Sequence, residues 1–469
     1  SSKINNLGTS GSVTGVLPSS SNTRGIGGIV GKLVINGSYP AKLQNEADVT
    51  GNRTVGGVVG YAGIRDDASG NKTGQDISDC TNEGLVLSSA DVGDGAQGKY
   101  IGGIVGYAYK TSFGSCTSRA GYHAGGANGY QYTASDESKL RGWYVGGIMG
   151  YSDGAVMYNC STKANGYVLG GNYVGGIVGG TSTTSQQVFH TGSGSSTKVT
   201  TNASYVVGRS YVGGIVGINQ GNSIIENCVN TGVVAGYGSY IGGICGANVS
   251  DSTDSPTILN CASYVSDTHN KIYDLVTGWG ATGSFAGGLT GYNSGVIQFD
   301  GDAAVSTRSV AGIVVGKDYV GGVIGFNDEK GTINVDYKLI GGRVRATGDC
   351  AGGLVGLNAS TELLEQTLTI QPSSVQGRYY VGGAIGANVV NPNSDITVDG
   401  LTVNNSLGTI TAEAYCGGLI GYQRTYTAAN LGGKHFQEAL SDGTLLTGIR
   451  EGNVPGTAAA SLNNHTITI

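Results

Sequence analysis

Tyr211-Val212-Gly213-Gly214-Ile215-Val216-Gly217-Ile218-Asn219 decides the fold. It is a short run of strand formers cut by three glycines and closed by a turn residue, which suits a strand buried on at least one face. The same Gly-Gly-x-x-Gly pattern, framed by apolar residues, returns twelve times with every glycine kept. Its first glycines are Gly27, Gly56, Gly102, Gly146, Gly175, Gly213, Gly242, Gly287, Gly321, Gly352, Gly382 and Gly417. Recurrence at a period of roughly 20–50 residues marks a solenoid or a similar array, which grows by adding units instead of enlarging one core. Of the 87 glycines, 36 belong to the motif at fixed positions, so a large share is ordered punctuation and not flexible linker. Glycine inside a strand needs a cause, and a thin coil supplies two: close approach of a neighbouring backbone, and a corner at the third glycine.

Two columns of side chains accompany the glycines. Two residues before the first glycine stand Tyr100, Tyr144, Tyr173, Tyr211, Tyr240, Tyr319, Tyr380 and Tyr415, with Phe285 in another copy. Stacked in register, their rings form a ladder. Two residues after the third glycine, the sixth to eleventh copies all carry asparagine: Asn219, Asn248, Asn293, Asn327, Asn358 and Asn388. Asparagine tolerates turn geometry and hydrogen-bonds from rung to rung, so an asparagine ladder is expected; a sugar-binding row is the alternative. A second strand signal lies between motifs, as in Ile225-Glu226-Asn227-Cys228-Val229-Asn230-Thr231-Gly232. Each unit therefore holds two or three short strands.

These segments, Gly213 to Asn219 followed by Asn227-Cys228-Val229-Asn230-Thr231-Gly232, resemble GLUG-type repeats of large bacterial surface and secreted proteins, including adhesins and IgA-peptidase-type proteins. The resemblance covers roughly residues 25–425 and implies an all-β, right-handed parallel β-solenoid (β-helix) of about twelve coils in an extracellular setting. No His-Glu-x-x-His stretch is present, so the peptidases' zinc chemistry does not carry over. The expected division is a cap or assembly strand over 1–24, the solenoid over 25–425, and a cap or donated strand over 426–469, where Phe436 to Leu440 is the clearest helical stretch.

Charged residues make up 12% of the chain and the net charge is −6, with no basic run of five. Nucleic acid and anionic membranes are thereby disfavoured as partners, and no window of 18 apolar residues spans a bilayer. The start at Ser1, with no apolar leader, reads as a processed product whose export signal is gone. Cys80, Cys116, Cys160, Cys228 and Cys261 share one repeat position, whereas Cys245, Cys350 and Cys416 replace motif residues. They read as stacked buried thiols, with disulfides between coils or a zinc site as alternatives. The five histidines are scattered, and no carboxylate pair recurs beside a base. No cofactor and no enzyme activity are expected; the acidic loops at 65–67, 91–95 and 251–254 leave calcium as a further ion to consider.

Long insertions occur at 62–79 and 87–99, 119–140 and 249–280. The second places Tyr122, His123, Tyr130 and Tyr132 in a candidate binding loop for a glycan or protein. Strand-like stretches at both termini offer candidate assembly residues: Val13 and Val16 at one end, Thr466, Ile467, Thr468 and Ile469 at the other. The expected function is a secreted structural protein that polymerises with itself, end to end, into a surface filament. A monomeric adhesin stalk ranks second and a polysaccharide-active β-helix enzyme third.

Overall fold

A computed structural model describes residues 7–17, 24–35, 42–64, 76–88, 100–119, 140, 142–164, 166–183, 188–189, 199–251, 253–264, 274–278, 285–298, 310–334, 338–340, 342–360, 363, 368–372, 374–390, 401–403, 409–425 and 465–468. No helix occurs among them; Phe436 to Leu440 lies outside them. The chain winds as a right-handed parallel β-solenoid. One complete coil runs through five short strands, Ser210–Gly213, Val216–Gln220, Ile224–Glu226, Cys228–Asn230 and Val234–Gly236. We number these five sides of the coil as faces one to five. Faces one and two, which carry the glycine motif, each stack twelve strands, one per motif copy. At about 4.8 Å between strands the stack is about 55 Å long.

Register is strict along each face. Val212 pairs with Val174 and Ile241, Gly213 with Gly175 and Gly242, and Asn219 with Asn248. A one-residue slip would turn every core side chain outward, so the buried face enforces this alignment. Inside runs one continuous apolar core from Ile26 to Ala412. Face five contributes the column Val168, Val206, Val234, Val276, Val314, Val344, Val375 and Ile410, each almost fully buried.

Each motif glycine has its own steric cause. A Cβ on Gly213 would come within 3.0 Å of the Val216 carbonyl in the same bend, and of the next coil's Gly246 N. On Gly214 it would strike the next coil's Gly243 carbonyl and the Asn230 side chain. On Gly217 it would strike the preceding coil at Gly179 O and Tyr173 C. The first glycine thus serves the bend, while the other two let successive backbones touch.

The described part of the first segment lies on the solenoid: Gly8–Thr9 and Ser12–Gly15 pair in parallel with Gln44–Asn45 and Asp48–Gly51. One pairing among the described residues runs the other way. His465–Thr468 lies antiparallel along Thr409–Ala412, with Ile467 in the register position opposite Ile410.

A Gly214→Ala substitution is expected to cost on the order of 4 kcal/mol or more, because the added carbon meets backbone and a buried amide and has nowhere to go. Hydrogen exchange across residues 172–248, together with thermal unfolding, measures it; wild-type protection in those coils is the contrary outcome.

Candidate functional site

The polar columns and the ends of the rod are where the chemistry lies. On face two, Asn219 Nδ2 donates to Asn248 Oδ1 (2.9 Å), Asn248 to Asn293 (2.9 Å), Asn293 to Asn327 (2.9 Å), Asn327 to Asn358 (3.0 Å) and Asn358 to Asn388 (2.7 Å). The other N–H of the amide reaches a carbonyl of the following corner, as from Asn293 to Gly295 and from Asn358 to Ser360. All six asparagines are fully buried, so the amides form part of the core wall and are not a solvent-facing sugar row. Asn388 Nδ2 ends the series on Gln423 Oε1 (2.7 Å), a longer amide that is exposed. At the other end Asn219 Oδ1 is buried without a donor.

A second polar ladder, absent from the sequence reading, occupies face four in the N-terminal half. Thr9 donates to Asn45 (2.6 Å), Asn45 to Asn82 (2.7 Å), Thr162 to Asn202 (2.5 Å), Asn202 to Asn230 (2.7 Å) and Asn230 to Ser263 (3.3 Å). Ser118 fills the intervening rung in register. These residues press on the second motif glycine: a Cβ on Gly57, Gly103, Gly176, Gly214 or Gly243 would strike Asn82, Ser118, Asn202, Asn230 or Ser263. Farther along, Val344, Pro372 and Ile410 take that place against Gly322, Gly353 and Gly383. The local signal was the Asn-x-Gly turn, as in Asn82-Glu83-Gly84 and Asn230-Thr231-Gly232, whose glycine carbonyl accepts the amide.

The tyrosines form a row on the outer corner beside face one. Tyr144 stacks on Tyr173 with centroids 4.6 Å apart, Tyr173 on Tyr211 at 4.8 Å, and Phe285 on Tyr319 at 5.2 Å. Tyr100 is tilted on Tyr144 and Tyr211 on Tyr240, and Tyr380 stacks on Tyr415 beyond Cys350, which interrupts the row. Tyr61, Tyr107 and Tyr151 add a parallel row that meets the first edge-on, Tyr107 donating to the Asp153 carboxylate at 2.8 Å. Seven tyrosines of this row, from Tyr144 (φ 49°) to Tyr415 (φ 57°), and Cys350 between them take a left-handed backbone, a conformation that costs an L-residue about 1–2 kcal/mol. Burial, with the neighbouring Tyr240 and Tyr173, pushes the Tyr211 phenol up to about 12.

All eight cysteines are free thiols, seven of them buried. The shared position stacks Cys80, Cys116 and Cys160 on Thr200, Cys228 and Cys261. Hydrogen bonding to Cys116, then burial, holds the Cys80 thiol well above the ordinary range, and the Cys261 contact does the same for Cys228. The Cys80 and Cys228 sulfurs pack as protonated, small apolar groups. The residue before each cysteine of the shared position turns left-handed (Asp79, Ser115, Asn159, Asn227, Asn260), as short polar side chains tolerate.

Among the described residues no group of three or more His, Cys, Asp or Glu is placed to hold a metal ion. Asp251 accepts from the Thr253 and Asp254 backbone N–H groups, and Asp254 accepts from Asn222. The acidic loops at 65–67 and 91–95, and Tyr122, His123, Tyr130, Tyr132 and Ile469, lie outside the described residues. Val13 sits on the strand Ser12–Gly15, half-buried against the core, and Val16 beside it is 79% exposed. Thr466, Ile467 and Thr468 lie on the antiparallel strand.

Residues 208–235 match the GLUG motif. Among curated proteins, halomucin of Haloquadratum walsbyi is 31% identical over 174 residues, which is 35% of this chain and 2% of that protein. The chain thus spans a small fraction of the relative it matches. No solved structure matches.

Removing one amide from the middle of the buried ladder tests its worth. Asn293→Ala leaves Asn327 Oδ1 without a donor and one Asn248 N–H without an acceptor, an expected loss of about 2–4 kcal/mol in denaturant unfolding. The tyrosine row makes a separate prediction. A phenol with a folded pKa above its unfolded value of about 10 contributes stability that is full below pH 10. That stability is lost as pH rises through the folded pKa, near 12 for Tyr211. Melting temperature is therefore expected to stay flat on this account up to about pH 10 and to fall between about 10 and 12, less steeply in Tyr211→Phe.

Proposed function

We propose that the chain is an extracellular structural protein, the subunit of a self-assembling cell-surface filament. The observation that carries this reading is a uniform stack whose first and last motif strands keep one edge unpaired among the described residues. These are Ile26–Gly27 and Val30–Ile35 at one end, Ala414–Gly417 and Ile420–Thr425 at the other. Unpaired parallel edges recruit further strands, and a solenoid lengthens by nothing else. The GLUG motif and the likeness to halomucin support a place at the cell surface. The buried side chains serve packing and ladder hydrogen bonds, so we propose no enzyme activity and no cofactor.

The adhesin reading needs the insertions to converge on one face. The described strands that flank these stretches of sequence belong to different sides of the coil: Val59–Ile64 and Asp76–Ser78 to faces two and three, Tyr100–Gly102 to face one, and Thr117–Ser118 to face four. Negative-stain electron microscopy of the purified chain, over a range of concentrations, is the test. Filaments many times longer than the ~55 Å of one stack are expected, also after deletion of residues 119–140. Short monodisperse rods at every concentration would refute the filament and favour the stalk.

A further inference from the structure

We propose that the two ends of the stack are the halves of one interface, occupied by a second copy of this chain, and that His465–Thr468 fills the slot which the partner's first strand takes. The proposal rests on the filament reading and adds to it the register, the contact residues and the gate.

Three observations lead there. The first is where exposed apolar side chains fall. Five large ones are exposed among the described residues, and four of them, Leu7, Val16, Val34 and Tyr415, lie in the first or last coil. The apolar core likewise ends half-covered, at Ile29, Val30 and Leu33 on one side and at Cys416, Leu419 and Ile420 on the other.

The second is Gly31. At other third-glycine positions, Gly60, Gly217 and Gly386 among them, a Cβ would strike the backbone of the preceding coil. On Gly31 it would meet only the Gly25 carbonyl, at 3.0 Å, because no described coil precedes it. The position keeps a glycine whose steric reason, everywhere else, is a neighbouring coil.

The third is column continuity. Val13 pairs with Val49 and Val49 with Val86 on the side that face five continues, whose column ends at Val375 and Ile410. Laying the first motif of one copy on the last motif of another sets Val13 beside Ile410, Ile26 beside Cys416, Val30 beside Ile420 and Val34 beside Arg424. The columns of Val13, Ile26 and Val30 then continue, and the asparagine ladder has already ended on the exposed Gln423. His465–Thr468 now occupies the edge of Thr409–Ala412, and its Ile467 stands where Val13 would come. One edge takes one strand, so joining requires this strand to leave. An antiparallel strand also cannot template a further parallel coil, so while in place it closes face five to growth.

The test compares assembly of the full-length chain and single variants by light scattering and electron microscopy. Ile467→Asp weakens the resident strand and is expected to speed assembly at least tenfold. Gly31→Ala is expected to melt like wild type and to slow assembly at least tenfold. If Gly31→Ala folds poorly, Val34→Arg replaces it: a change at an exposed side chain that sets a cation beside the register position of Arg424. Filaments that form at the wild-type rate in Gly31→Ala or Val34→Arg would overturn this interface and leave the filament reading standing. Unchanged assembly in Ile467→Asp would overturn the gate. If neither wild type nor Ile467→Asp assembles, the filament reading falls, and the interface with it.

Discussion

The close approach of successive backbones governs this molecule. Parallel strands stack about 4.8 Å apart, and at the motif corner two chains must also turn within that spacing. A methyl group at Gly214 or Gly217 would lie inside the neighbouring backbone. The glycines therefore do not merely permit the turn; they allow the next coil to exist at that distance. Hydrogen bonding then follows: Ile215 N donates to Ile244 O, Ile244 N to Leu289 O and Leu289 N to Val323 O, one rung after another. Faces one and two, the two bound by this constraint, are the faces that persist through all twelve copies. The other faces tolerate gaps and insertions.

A thin solenoid has little volume for apolar side chains, and part of its interior is polar. A buried amide costs dearly alone and little in a column, where each neighbour satisfies the next. That economy works only for runs, and two runs occur. The face-four ladder extends from Thr9 to Ser263 and the face-two ladder from Asn219 to Gln423. They overlap in the coils that hold Asn219 with Asn230 and Asn248 with Ser263. Before the overlap, face two carries Leu33, Ala62 and Ala108 at the ladder position, then Ser152 and Thr181. After it, Val344, Pro372 and Ile410 lie against the second glycine instead. The polar seam changes corners once, near the middle of the rod, and the directional amides keep register there as strictly as the glycines do.

The features legible in the chain were those written in one residue type at one offset. The glycine triplet and Asn219 to Asn388 meet that condition, and both lie in register. The face-four ladder does not: its rungs alternate among asparagine, serine and threonine, which share a hydrogen-bonding role but no letter. Its Asn-x-Gly segments carry a turn signal, yet a turn signal does not say that the side chain points inward. The antiparallel placement of His465–Thr468 was hidden for another reason. Alternation of polar and apolar residues marks a strand and is silent on its partner and direction.

The tyrosine row shows backbone and side chain making opposite demands. A left-handed residue is normally glycine or asparagine, and eight of twelve positions here are left-handed with neither. Cys350 identifies which demand comes first: it has no ring to stack, yet keeps φ 61°. The coil imposes the conformation, and the residue is chosen afterwards. A glycine would remove a strain of about 1–2 kcal/mol. It would also remove a ring that stacks on the coils above and below, worth about 0.5–1.5 kcal/mol per pair beyond the apolar area it covers. With two neighbours per interior rung, a tyrosine at least breaks even and seals the outer corner. The balance shifts at the terminal rung, where the ring is less covered: Tyr415 stacks on Tyr380 and is 37% exposed. A coil laid over it would restore to that position the covering its interior counterparts have.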